Sequence, residues 1–228
     1  MTGSSRQLIA FLDESQSHHD LDPDTYVLAA SVCAPAMLEP ARDVVSGLRL
    51  KGQRKLHWRD ESDPRRRLII RTIAEIPLEH VIVVRDGQAG ERPERRRRQC
   101  MERMLYELDH LAVATATFES RGRPDDRRDR AMLDAMRARK MVNSELRITH
   151  QRGDQEALLW VADALCAELS RNNASGTAAT SRPLLNKSGF RLSGSTRPRK
   201  DANPGPCRPA GNPEVHFQLH RNGLAIDQ

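Results

Sequence analysis

Three carboxylates stand where apolar residues would normally be found. Asp13 follows the run LIAFL (8–12), Glu119 follows AVATATF (112–118), and Asp163 lies inside LLWVADAL (158–165). Asp163 is the most telling. Its neighbours at −4, −3, +3 and +4 are Leu159, Trp160, Cys166 and Ala167, a stripe that on a helix faces the core. An unpartnered carboxylate there is strongly unfavourable, or it takes up a proton.

Two kinds of partner would serve. A lysine or arginine would form a structural ion pair. A cluster with the other acids would repel unless a divalent cation lay between them. Mg²⁺ or Mn²⁺ prefers oxygen ligands, and two such ions ~3.5–4 Å apart activate a water and stabilise the leaving oxygen in phosphodiester cleavage. Asp13 and Glu14 are adjacent, so on a regular strand they point to opposite faces. Asp13 is the favoured ligand; Glu14 is a weaker fourth that reaches in if the strand has ended, and otherwise a solvated residue.

The elements that would position these acids form an α/β pattern. Strands are expected at 8–12, 26–33, 80–84, 112–118 and 145–149, the first two joined as a hairpin. Helices are expected over 38–50, after Asp63 and Pro64 as cap and first residue, from Pro93, from Pro124 with Asp125 and Asp126 in its first turn, and over 155–169. The second of these places Leu68, Ile69, Ile73 and Ile76 on its apolar face, and the Pro93 helix places Met101, Met104, Leu105, Leu108 and Leu111. From residue 172 onward periodicity fades. That segment holds 6 of the 13 prolines and 6 of the 13 glycines, and it reads as a low-complexity basic tail, disordered except that VHFQLH (215–220) alternates and could pair with a sheet edge.

Charge excludes less than it suggests. The net charge is +6, yet the tail alone carries 8 Lys and Arg against 3 Asp and Glu, so the body is nearly neutral and pI alone does not argue for nucleic acid. The basic run ERPERRRRQ (91–99) opposes its helix dipole; it reads as a solvated face or as a contact to a nucleic-acid backbone. Cys33, Cys100, Cys166 and Cys207 form no CxxC pair and read as small core residues of a reducing compartment. MTGSSRQ lacks the apolar core of a signal peptide, and no apolar window is long enough for a membrane span, so the expected location is the cytoplasm. No glycine-rich nucleotide loop and no nucleophile elbow occurs.

FLDES (11–15), YVLAASV (26–32), KLHW (55–58), FESR (118–121) and LLWVADAL together resemble the domain of unknown function 3800 family over residues 8–170. That family is regarded as similar to RNase H-like nucleases. The resemblance implies a mixed sheet flanked by helices, with an initial antiparallel meander, over residues 1–171. It implies a first-strand acid, Asp13, a middle-strand acid, Glu119, and a closing-helix acid, Asp163. The chain departs from the family pattern at Gln16, where a glycine is usual, and in its faintly patterned segment between Ser31 and Lys55.

Other residues carry two readings each. His57, in KLHW, could contact phosphate or orient a water, or belong to a half-buried His–Trp turn. His18 and His19 could add ligands or lie in a solvated loop. Arg121, two residues after Glu119, could pair with it or receive a substrate phosphate. His150 reads as a local cap. The expected function is metal-dependent hydrolysis of phosphodiester bonds in RNA or DNA, with catalytic Asp13, Glu119 and Asp163. One rival is a non-catalytic module that keeps the fold and binds nucleic acid or a protein. Another is a toxin-like PIN nuclease, whose all-parallel sheet would be excluded by antiparallel pairing of 8–12 with 26–33.

Overall fold

Leu8–Gln16 (β1) and Thr25–Cys33 (β2) pair antiparallel, with Asp13 opposite Ala29 and Glu14 opposite Leu28. This pairing excludes the all-parallel PIN arrangement. The computed structural model describes residues 7–16, 25–86, 91–143, 145–174 and 217–222. Residues 34–78, which carry two α-helices, separate β2 from Glu79–Asp86 (β3), and β3 pairs antiparallel with β2. Val113–Glu119 (β4) then pairs parallel with β1 on its other edge, and Arg147–Gln151 (β5) pairs parallel with β4. Phe217–Asn222 (β6) adds an antiparallel edge to β3, giving the order β5-β4-β1-β2-β3-β6. β1 is thus the seam between a parallel half and an antiparallel half.

β1 is longer than the apolar run implied. Asp13 and Glu14 lie within the strand because β2 continues to pair with it beyond the point where β4 stops. β6 falls close to the alternating segment expected to find an edge. The rest of the expected tail, with Cys207, and the loop carrying His18 and His19 lie outside the described residues.

Two apolar layers cover the sheet. One is built on Leu38–Gly47 (α1), Asp63–Glu75 (α2) and Leu158–Ala174 (α5), with Phe11, Val27, Ala29, Ile82 and Val84 facing them. The other is built on Pro93–His110 (α3) and Arg123–Ala138 (α4), facing Ala10, Leu12, Leu28, Val83, Ala116 and Phe118. Successive strand residues alternate between these layers, so Phe11 and Asp13 face α5 while Leu12 and Glu14 face α3.

The helix stripes follow their periods except on α2, and α5 differs in where it begins. On α3, Met101, Met104, Leu105 and Leu108 are buried as the period requires. On α2 the buried set is Ile69, Ile70 and Ile73, whereas Leu68 is 44% exposed; the stripe is rotated by one position. α5 starts later than expected because residues 153–155 form a turn and the Glu156 carboxylate accepts the Leu158 N–H at 3.0 Å. From Leu158 to Cys166 α5 is buried all round except at Asp163, the pattern of a central helix.

Cys33, Cys100 and Cys166 are free and buried. Among the described residues no helix is long and apolar enough to cross a membrane.

Candidate active site

The parallel pair β1 and β4 ends at one place, the carboxyl edge of the sheet beside the seam. Clefts in open α/β sheets form at such switch points. Here a cleft of about 340 Å³ is lined by Leu12, Asp13, Glu14, Phe118, Glu119, Ser120 and Arg121. Three elements bring acids together on the α5 side of the sheet at this edge, and two of the acids, Asp13 and Glu119, line the cleft. β1 supplies Asp13, whose Oδ1 accepts the Glu14 backbone N–H at 2.8 Å. β4 supplies Glu119 as its last residue. α5 supplies Asp163, whose carboxyl accepts the backbone N–H of Trp58. One turn after Asp163, the Cys166 thiol donates to the Asp13 carbonyl at 3.2 Å and ties α5 to β1.

The three acids feel one another. Burial, then the charges of Asp163 and Glu119, push the Asp13 carboxyl well above the usual carboxylate range, against smaller lowering by the Glu14 N–H and Lys55. Burial also raises Asp163, opposed by Lys55 and by the Trp58 N–H. Asp13, Glu119 and Asp163 thus stand near enough for their charges to act on one another.

The cation within it is lysine. Lys55 Nζ lies 2.7 Å from both oxygens of Glu119, with 15% of its side chain exposed and 25% of that of Glu119. The lysine comes from the irregular segment that precedes a 3₁₀ turn at Trp58–Asp60, and the same segment places the exposed His57 beside Asp163. Gly153 faces the ion pair from the loop before α5. A Cβ there would stand 2.3 Å from Glu119 Oε1 and 2.6 Å from Lys55 Nζ. Gly153 has no positive φ, so space rather than backbone geometry accounts for the glycine. Neither Lys55 nor Gly153 was legible as a site residue. KLHW offered a basic residue beside the His–Trp pair, but nothing in its spacing aimed it at Glu119.

The donor set suits a hard divalent cation, since all three side chains offer carboxylate oxygen. As they stand, no three His, Cys, Asp or Glu side chains among the described residues form a group able to hold a metal ion. Lys55 fills the electrostatic role, and an ion would have to take Glu119 from it.

Glu14 and Arg121 belong to a second cluster on the α3 side of the sheet. Glu14 Oε2 accepts from Arg97 Nε at 2.7 Å, and Glu14 Oε1 lies 3.3 Å from Arg121 Nε. The strand has not ended at Glu14, so it points away from the Asp13 side. Arg121 does not pair with Glu119: β4 stops at Glu119, the chain turns, and the guanidinium reaches Glu14 instead.

Arg97 also grips Asp129 of α4 with Nη1 and Nη2 at 2.6 and 3.0 Å, and His150 Nε2 lies 3.1 Å from the same carboxylate. Burial would raise Asp129, but the hydrogen bonds from His150 and Arg97 outweigh it and bring the carboxyl down to about 2. His150 is thus a buried partner of α4 rather than a cap. Arg96 and Arg97 are buried, which corrects the reading of ERPERRRRQ as a solvated or nucleic-acid-facing run for these two, while Arg92, Arg95 and Arg98 are exposed. Its inner half is neutralised from within.

No family model matches the chain, and no curated protein does, so the domain of unknown function 3800 assignment has no support beyond the residues that suggested it. Among solved structures, the PCNA:RNase HII complex from Archaeoglobus fulgidus matches with a TM-score of 0.51 at 14% identity, over 75% of this chain and 76% of that one. The fold is RNase H-like. Ribonuclease H2 from Pyrococcus horikoshii OT3 gives a TM-score of 0.46 at 12% identity, over 75% of each chain. Bst-RNase HIII in complex with Mn²⁺ gives 0.44 at 12%, over 76% of this chain and 57% of that one. In the RNase H-like fold of this chain, the acidic cluster stands at the carboxyl edge of the central strand, with α5 closing it.

Proposed function

We propose that this chain is a nuclease that hydrolyses phosphodiester bonds of RNA or DNA with Mg²⁺ or Mn²⁺ held by Asp13, Glu119 and Asp163. One observation carries the reading: β1, β4 and α5 of an RNase H-like fold each deliver a carboxylate to the same side of the sheet at its carboxyl edge, where the three act on one another's charge. A bound divalent ion would supply activation of the attacking water and stabilisation of the leaving oxygen. The chain's own groups do the rest. Asp13 and Asp163 are held in place by the Glu14 and Trp58 backbone N–H groups. Arg121, 29% exposed on the cleft lip, offers a guanidinium to a substrate phosphate, and exposed His57 offers a second contact beside Asp163.

The Lys55–Glu119 pair favours a second reading, in which the fold is kept as a non-catalytic module that binds nucleic acid or a protein partner and the lysine permanently replaces the ion. Mn²⁺ separates the two. A nuclease shows a rise in melting temperature with Mn²⁺ and Mn²⁺-dependent cleavage of labelled RNA, DNA or hybrid, and both are absent in Asp163→Asn. A melting temperature indifferent to millimolar Mn²⁺, with no cleavage of any of the three, assigns the module.

A further inference from the structure

We infer that Lys55 is the built-in counter-cation of the acidic cluster, and that it and a divalent ion compete for Glu119. The inference rests on the metal reading above and specifies how that site is controlled.

Four observations lead to it. Lys55 Nζ is equidistant, at 2.7 Å, from both Glu119 oxygens, the placement of a point cation on a carboxylate rather than of a fork-shaped guanidinium. The chain has 32 arginines and 5 lysines, and one of the five stands here. The opening opposite is kept free of any side chain by Gly153, at which a single added carbon would strike both partners. The ammonium also acts on Asp13 and Asp163, so one cation serves all three acids.

An ammonium so placed and a dication cannot share Glu119 without strong repulsion, because two like charges a few ångströms apart in a partly desolvated site repel much more than they do in water. Lys55 is carried on an irregular segment, and its four-carbon stem can rotate the charge out of the cluster without moving the sheet. The withdrawn ammonium remains near the cleft lip, where it can meet a phosphate. In the ion-free state Lys55 therefore occupies Glu119 and offsets part of the acidic charge, and ion binding displaces it.

Mn²⁺ binding by the full chain, followed by the loss of the free Mn²⁺ signal in electron paramagnetic resonance, tests this. Lys55→Met and Lys55→Gln are expected to bind Mn²⁺ ~10-fold tighter than the unaltered chain, the size of an ordinary coupling between two sites, and to melt lower without metal. Two variants guard against one failing to fold. Unaltered chain that binds Mn²⁺, together with variants that bind equally or more weakly, overturns the competition and leaves the nuclease reading standing. Variants that bind while the unaltered chain does not confirm Lys55 as the occupant and overturn the nuclease reading for the native protein. Absence of binding in all of them overturns both.

Discussion

Arg97→Met is expected to cost about 3–5 kcal/mol of folding stability at neutral pH, the usual penalty for leaving a buried charge without its partner. Arg97 is 4% exposed and spends all three guanidinium nitrogens on carboxylates, two on Asp129 and one on Glu14. Methionine fills much of the volume but leaves both acids facing each other across an apolar gap beside Met101. The same pair predicts an acid limb. The Asp129 carboxyl is lowered to about 2, so its contribution is complete above the unfolded value near 4 and is lost as pH falls through about 2. In Arg97→Met that limb should shrink. Urea midpoints at pH 7 and through the acid range measure both effects, and a loss below ~1 kcal/mol would mean that water already screens the cluster.

Asp13→Asn should act in the opposite sense on the metal-free protein. The folded carboxyl of Asp13 is raised by burial and by Asp163 and Glu119. Its contribution to stability is therefore fully present below the unfolded value near 4 and is lost as pH rises through the higher folded value. Without metal, the unaltered chain should lose stability as pH rises, and Asp13→Asn should lack this decline and be the more stable of the two at alkaline pH. Added Mn²⁺ should reverse the ranking, because only the unaltered chain keeps its first-strand ligand, and Mn²⁺-dependent cleavage should fall to background in the variant. Thermal melts across pH, with and without Mn²⁺, read this out. A variant less stable than its parent at every pH without metal would show that Asp13 is a required structural anion instead.

How much of this was legible in the sequence differs by element. The strands and the α3 stripe were readable because period and burial coincide: Met101, Met104, Leu105 and Leu108 are both evenly spaced and fully enclosed. Asp163 was readable for a related reason, as the one charged residue in the enclosed stretch from Leu158 to Cys166 of α5. The extent of β1 was not, because a strand charged at Asp13 and Glu14 looks finished, and only the long register with β2 keeps it going. The partners of charged groups were the least legible. Lys55 and Glu119 are 64 residues apart and Arg97 and Asp129 are 32 apart, and no local pattern relates them. A run of arginines looks alike whether it faces water or two carboxylates.

The position of β1 as the seam of the sheet has a consequence for the order of assembly. Its pairing with β2 joins neighbouring stretches of chain, whereas β4 and then α5 must return from far along the polypeptide, and nearby contacts form sooner than remote ones. The β1–β2 hairpin is expected to be in place first, with Asp13 still hydrated and free of Glu119 and Asp163. Pulse-labelled hydrogen exchange should therefore protect the β2 amides ahead of those of α5. The mutual repulsion of the acids then enters only at the last step, after most of the core has already condensed.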